Sequence, residues 1–405
     1  MDNSDVILFP DRGWPPHGVE TLPWRQQMRG GTREDRMLQT VDATVPPFIA
    51  DVDYEPALEI ITASEEALLA VAQADAGASR RSSALSRFLI RTESVASSKI
   101  ERITASAEDF ARAIAGNRGN SSAVSMVAAS RALHQMVTMV GERGVFERGD
   151  LLDAHHSLMQ DDPLEARYAG RVRDMQNWVG GSDHSPRDAL HIPPAPERVS
   201  ALLDDLLAYL NRDDVPVLVQ ASIAHAQFES IHPFTDGNGR IGRALVSASL
   251  RRRGAIRNGV IPMASGILAR QGDYFAALGE YRSGDPAPLI ALFVRSAHAA
   301  AIETAASVER IESFPEEWSA EVRPRRGSAA AALLLAFFDN PVLNAAEIER
   351  LSGAKTAQAY AAIDRLAEAR VIREITGRKR DRVWVAADLL AELDDLDRRI
   401  QRRMI

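Results

Sequence analysis

The residues from 230 to 243, SIHPFTDGNGRIGR, are the ones whose types and spacing could do chemistry. Gly237 and Gly239 flank Asn238 where a helix is about to start, and glycines there let backbone N–H groups converge on an anion without side-chain obstruction. A helix start adds unpaired amides and the positive end of its dipole, so the anion that fits is a phosphate. Arg240 and Arg243 stand one turn apart, and two guanidinium forks aimed at one helix end suit a polyphosphate better than a single phosphate. Asp236 would repel such a ligand unless a hard divalent cation lay between them, and one carboxylate plus substrate phosphates is the habitual Mg²⁺ arrangement. His232, at the other end of the loop, accepts a proton near neutral pH, and a base beside a polyphosphate serves an attacking hydroxyl. Taken singly, each residue has a plainer reading, since most histidines at helix ends are structural and Gly-x-Gly loops are common.

The elements that must hold this loop are two helices. Residues 215 to 231 carry Ile223, Ala226 and Phe228 at helical spacing before it, and Leu245, Val246 and Leu250 follow it on a helix starting near Asn238. A further helix over 197 to 211 precedes them, and helices resume around Ala264 to Ala306. Upstream, residues 1 to about 50 are rich in Pro, Gly and charge and read as an extended arm lying over something else or as a partly disordered terminus. Helical patterning starts at Pro56 and resumes from Ala84 to Ala113 after a Gly77 break; beyond GNRGNSS at 116 to 122 it runs to Gln160. Between Tyr168 and Pro196, clustered Gly, the Trp178–Val179 pair and a Pro-Pro stop predict a short β-hairpin.

A shift of composition at 313 to 328, SFPEEWSAEVRPRRGS, predicts a linker. Beyond it the order helix, helix, helix, strand pair over 329 to 390 is that of a winged helix-turn-helix, and 391 to 405 read as one more amphipathic helix. The fold class expected is therefore mainly α: residues 1–105 an arm and helical extension, 106–312 a helical catalytic bundle with a hairpin, then linker, winged helix and terminal helix. Bulk properties fit this. With 405 residues, two or three structural units are expected, and no run of eighteen uninterrupted apolar residues offers a membrane span. The absence of cysteine removes thiol chemistry and fits a cytoplasmic location, the acidic amino terminus does not read as a secretion signal, and a net charge of -8 argues against a nucleic-acid-coating protein.

Together the loop residues match at every fixed position the Fic family signature, HPFx(D/E)GNGRxxR, in His232, Pro233, Phe234, Asp236, Gly237, Asn238, Gly239, Arg240 and Arg243, and residues about 45 to 310 resemble a Fic domain with its helical extension. The resemblance implies a protein adenylyltransferase, which joins the AMP of ATP to a Ser, Thr or Tyr hydroxyl and releases pyrophosphate. It gives His232 the role of base and Asp236 that of Mg²⁺ holder, puts the phosphates against residues 237–239 with Ile241 and Gly242 beside them, and assigns the β- and γ-phosphates to Arg240 and Arg243. Gly239 favours AMP transfer, because relatives with Lys there are kinases. The segment 186 to 194, with Ala189, Leu190 and His191, corresponds to the family's flap, along which a target protein pairs by main-chain hydrogen bonds. Tyr274 matches an aromatic that contacts the nucleotide, with a core aromatic as the equal alternative, and Arg282 stands where some relatives have Asn.

Ser97 and Glu101, one helical turn apart in TESVASSKIERI, resemble the family's inhibitory helix, (S/T)xxxE(G/N), whose Glu pairs with the second motif Arg, here Arg243. A bidentate carboxylate would take the donors needed by the γ-phosphate. Arg102 departs from the Gly or Asn usual there. Rival readings are removal of AMP, transfer of another nucleotide, and a DNA-binding regulator acting through Lys355, Thr356 and the basic wing Arg378, Lys379, Arg380 and Arg382. Target docking or homodimer contact is left open for the winged helix. A zinc hydrolase built on His155, His156, His225 and His232 lacks HExxH-type ligand spacing.

Overall fold

Apolar residues recur every three or four positions along most of the chain, and in a computed structural model, which describes residues 13–26, 29–79, 83–377 and 381–405, these stretches are helices. The amino-terminal part holds β1 (Gly18–Pro23), α1 (Arg33–Met37), β2 (Thr40–Val45), α2 (Leu58–Ser79), α3 (Ser83–Ile100) and α4 (Ala107–Ile114). The central bundle comprises α5 (Ser121–Arg143), α6 (Arg148–Met159), α7 (Pro196–Leu210), α8 (Val217–Ile231), α9 (Asn238–Arg252), α10 (Ala264–Ala269), α11 (Gln271–Arg282) and α12 (Ala287–Val322). Then follow α13 (Ala329–Asp339), β3 (Val342–Asn344), α14 (Ala345–Ser352), α15 (Thr356–Glu368), β4 (Ile372–Glu374), β5 (Val383–Ala386) and α16 (Ala387–Met404).

The bundle is centred on α8, which packs against α7, α9 and α12. Every residue of α8 is buried, Glu229 only partly, so the helix is enclosed on all sides at the centre of the bundle. α9 lies beside it, and Gly242 makes the close approach: a β-carbon there would stand 3.0 Å from His225 Nδ1 and from Glu229 Oε1. Two sheets flank the helices. One is the antiparallel pair β1–β2, the other has the order β3-β5-β4 with both pairings antiparallel.

Several expectations are corrected. The segment from 168 to 196 is no strand hairpin; it is a turn-rich loop closed by one antiparallel bridge, Val179 to His191. An antiparallel strand pair lies instead in the amino-terminal arm, whose β2 reaches the loop through Thr44 N–H to Ile192 O (2.8 Å) while Asp35 accepts from Ser185 Oγ (2.7 Å). The expected linker is mostly helix: α12 runs through Pro315 to Val322, because burial of Phe314, Trp318 and Val322 outweighs the hydrogen bond that proline removes. Strand β3 adds a third strand to the expected pair. The terminal helix α16 packs back on α3, α10 and α12, where Arg399 and Arg403 pair with Glu303 and Lys99 with Asp397 (2.8 Å). Helix α12 is long and apolar enough by length and composition to cross a membrane, with 67% of its apolar window buried inside the molecule. Of the basic wing, Arg378, Lys379 and Arg380 lie outside the described residues, while Arg382 pairs with Glu374 (2.8 Å) and lies over the Trp384 ring.

Candidate active site

The motif loop is held by its own side chains. α8 ends at His232, whose φ of 49° is left-handed, a conformation that costs a residue with a β-carbon roughly 1–2 kcal/mol. Asn238 offsets this by bridging the loop: its Oδ1 accepts from Phe234 N–H (2.9 Å) and its Nδ2 donates to Phe234 O (2.8 Å). The buried Arg173 donates from Nε to His232 O (2.8 Å) and from Nη2 to Pro194 O (2.6 Å), tying loop and flap together without a carboxylate partner. His155 accepts from Gly170 N–H at Nδ1 (3.0 Å), donates from Nε2 to Asp236 O (3.1 Å), and stacks on Phe234 at 3.8 Å. Gly237, φ 79°, turns the chain into α9.

His232 is a neutral ring. Burial, with the positive charges of Arg173 and Arg282 nearby, pushes its pKa down to about 3. Its Nδ1 lies 3.0 Å from Asn177 Nδ2 and 3.2 Å from Asn238 Nδ2, and both amides are oriented by donating to Phe234 O as well. Two donors at Nδ1 make it an acceptor, which leaves the ring proton on Nε2.

The first intrahelical bond of α9 runs from Ile241 N–H to Gly237 O (3.1 Å), so the amides of Asn238, Gly239 and Arg240 face out of the helix end. Ile241 itself is thereby engaged and its side chain is core; Gly242 serves helix packing. Above the open amides sits Glu101. A β-carbon at 239 would collide with its Oε1, so the carboxylate occupies the place where an anion would be gathered. Glu101 Oε1 also takes Arg243 Nη2 at 2.8 Å, while Ser97 accepts from Arg243 Nε through Oγ (2.8 Å) and from Nη2 through its carbonyl (3.0 Å). The carboxylate contact is therefore single, not bidentate, and Ser97 supplies the other acceptors. Arg240 diverges from Arg243: it donates to Ser125 Oγ (2.8 Å) and stands 3.5 Å from Asp236 Oδ2. Asp236 is exposed, with Oδ1 accepting from Gly237 N–H (2.6 Å).

α3 is closed by Ile103 N–H bonded to Ser98 O (3.0 Å) and Arg102 N–H to Lys99 O (3.0 Å), the paired bonds of a Schellman turn. Arg102 has φ 59°, which explains why Gly or Asn suits this position better.

Beside the loop a cavity of about 610 Å³ is lined by Glu101, Leu190, His191, Phe275, Glu229 and Arg282 among others. Flap residues Leu190 and His191 thus reach it, whereas Ala189 and Tyr274 do not line it. Tyr274 is core, its hydroxyl 2.9 Å from His225 Nε2. Arg282 Nε and Glu229 Oε1 have no hydrogen-bond partner, and burial with Glu101 nearby pushes the Glu229 carboxyl up to about 7. Glu229, Asn177 and Arg173 were not legible as site residues, since a lone polar residue gives no spacing signal; only the missing apolar face position at 229 in α8 hints at one. The four histidines do not converge, and no group of three metal-ligating side chains occurs among the described residues.

The sequence model of the Fic/DOC family matches residues 145–250, the stretch from the start of α6 to the end of α9. Protein adenylyltransferase fic-1 of Caenorhabditis elegans is 32% identical over 145 residues, 35% of this chain and 25% of the relative. Protein adenylyltransferase Fic of Drosophila erecta is 36% identical over 109 residues, 26% and 20% of the two chains. The chain thus spans about a quarter of the length of the curated relatives it matches. In fold it is similar to the crystal structure of a Fic family protein from Desulfovibrio desulfuricans G20, with TM-score 0.53 and 23% identity over 82% of this chain and 97% of that one. Residues 145–250, which carry the loop, are thus similar to the Fic/DOC family, and the chain shares its overall helical fold with a Fic family protein.

Proposed function

We propose that this protein is an adenylyltransferase that moves AMP from ATP to a Ser, Thr or Tyr hydroxyl of a target protein and is held back by Glu101. The observation that carries the reading is the open amide end of α9 beside a neutral imidazole, with Arg243 in reach of the same place. Triphosphate oxygens would be gathered by the amides of residues 238–240 and by Arg243, while the cavity lined by Glu229, Phe275 and Arg282 would take the nucleoside. His232 takes the hydroxyl proton as that oxygen bonds to the α-phosphorus; the bond to the bridging oxygen breaks and pyrophosphate leaves with its electron pair. Asp236, an exposed carboxylate next to the amide end, fits the hard-oxygen requirement of Mg²⁺, which when bound would neutralise phosphate charge. The target would lie along residues 186–194, where Leu190 and His191 line the cavity.

The test is incubation of a cell lysate with labelled ATP and the parent, Glu101→Gly or His232→Ala protein, followed by identification of labelled bands. Labelling that rises with Glu101→Gly and vanishes with His232→Ala supports the reading. Release of AMP from a pre-modified target instead would mean that the same site works in reverse. A second reading, a winged helix over 329–390 that binds DNA, is supported by the exposed start of α15 at Lys355 and Thr356. A gel shift that weakens steeply with salt would support it.

A further inference from the structure

The two amide donors at His232 Nδ1 suit a resting ring but not a working one. When Nε2 has taken a proton, Nδ1 carries one too, and an N–H there would face two N–H donors. Asn238 cannot relieve this, because both ends of its amide are engaged by Phe234. Asn177 can. Its Oδ1 is buried without a hydrogen-bond partner, and Phe234 O would keep the Asn238 donor if the Asn177 amide turned. An orphaned buried carbonyl oxygen is costly, and this one belongs to the amide whose Nδ2 lies 3.0 Å from a ring that must change its proton.

We propose that Asn177 is a positioning residue for His232: in the resting protein its Nδ2 keeps Nδ1 an acceptor and the ring proton on Nε2, and in the transferring state its amide is turned so that Oδ1 accepts from Nδ1–H while Nε2 receives the hydroxyl proton. The inference rests on the adenylyl-transfer reading. The ring proton on Nε2 leaves to solvent and another is taken at Nδ1 before attack, so the proton count is unchanged. Asn177 touches no reacting atom; it sets which nitrogen can act as base.

The experiment uses the full chain labelled with ¹⁵N-histidine, as parent, Asn177→Leu and Asn177→Asp, with transfer rates read in the Glu101→Gly background. The parent spectrum should place the His232 proton on Nε2, and Asn177→Asp should move it to Nδ1, since a carboxylate can only accept there. Asn177→Leu should lower kcat roughly tenfold or more with KM for ATP within about twofold. Asn177→Asp should restore most of kcat. A parent proton on Nδ1, an Asp variant whose tautomer does not move, or Leu and Asp variants of equal kcat would each overturn the proposal. Should Asn177→Leu fail to fold, the Asp variant's tautomer decides alone. If the Glu101→Gly protein labels nothing while the parent spectrum is as expected, the transfer reading itself fails and takes the working half of the proposal with it.

Discussion

Two helix ends meet at the site, and they are held in different ways. The motif end, His232 to Gly239, is braced at its backbone: Asn238 spans it, Arg173 and His155 bind its carbonyls, and Phe234 is buried beneath it. The α3 end, Ser97 to Ile103, is pinned chiefly at side chains, by Arg243, by Gln271 Nε2 to Ile100 O (2.8 Å) and by Lys99 to Asp397 on α16. Both contain a left-handed residue other than glycine, His232 and Arg102. On the proposed reading the difference would separate catalytic groups, which must not move, from a brake, which must.

Breaking the motif end should have the largest effect. His232→Ala should lower AMP transfer by on the order of 10²–10⁴-fold with ATP binding retained, measured by labelling and calorimetry; a rate within a few-fold of the parent would remove the base assignment. Releasing the other end comes next. Glu101→Gly should raise self-modification about tenfold, the lower end for a charge-assisted hydrogen bond, since the Glu101 side chain is 37% exposed and its pair with Arg243 is partly screened.

Acid should test the motif end further. The pKa values of His232 and His225 are lowered by burial to about 3 in the folded chain, against 6.5 when unfolded. Their stabilising contribution is present above pH 6.5 and lost as pH falls toward 3, at about 1.4 kcal/mol per pH unit for each. Melting curves between pH 7 and 5 should show this, and His225→Gln should flatten the slope. The smallest effect belongs to Arg102→Gly, which removes left-handed strain and should stabilise the chain by about 1 kcal/mol in denaturant titrations while tightening the brake.

The motif loop and helices α7 to α9 were legible because their residue types answer strict local demands: glycines at a turn, a carboxylate beside an anion nest, apolar residues at helical spacing. Ser97 and Glu101 were legible instead through the resemblance of TESVASSKIERI to the family's inhibitory helix, and both do meet Arg243. The segment 168 to 196 was not, because its shape comes from Arg173 and Gln176 bonding carbonyls on distant elements, and Gly clusters look alike in hairpins and loops. Pro315 misled for a related reason: proline signals a helix break locally, and only the buried face of Phe314 and Trp318 shows why the helix continues. The geometry of Arg240, aimed at Ser125, depends on α5 and leaves no mark on the spacing of its own helix.

Gly239 has a consequence for how such an enzyme would respond to its own supply of fuel. Because the Glu101 carboxylate and a terminal phosphate would claim one seat over that residue, Glu101 would on the proposed reading act as a tethered competitor. Apparent nucleotide affinity would then equal the intrinsic affinity multiplied by the fraction of molecules whose seat is vacant, so a binding isotherm becomes a meter of how often the brake lifts.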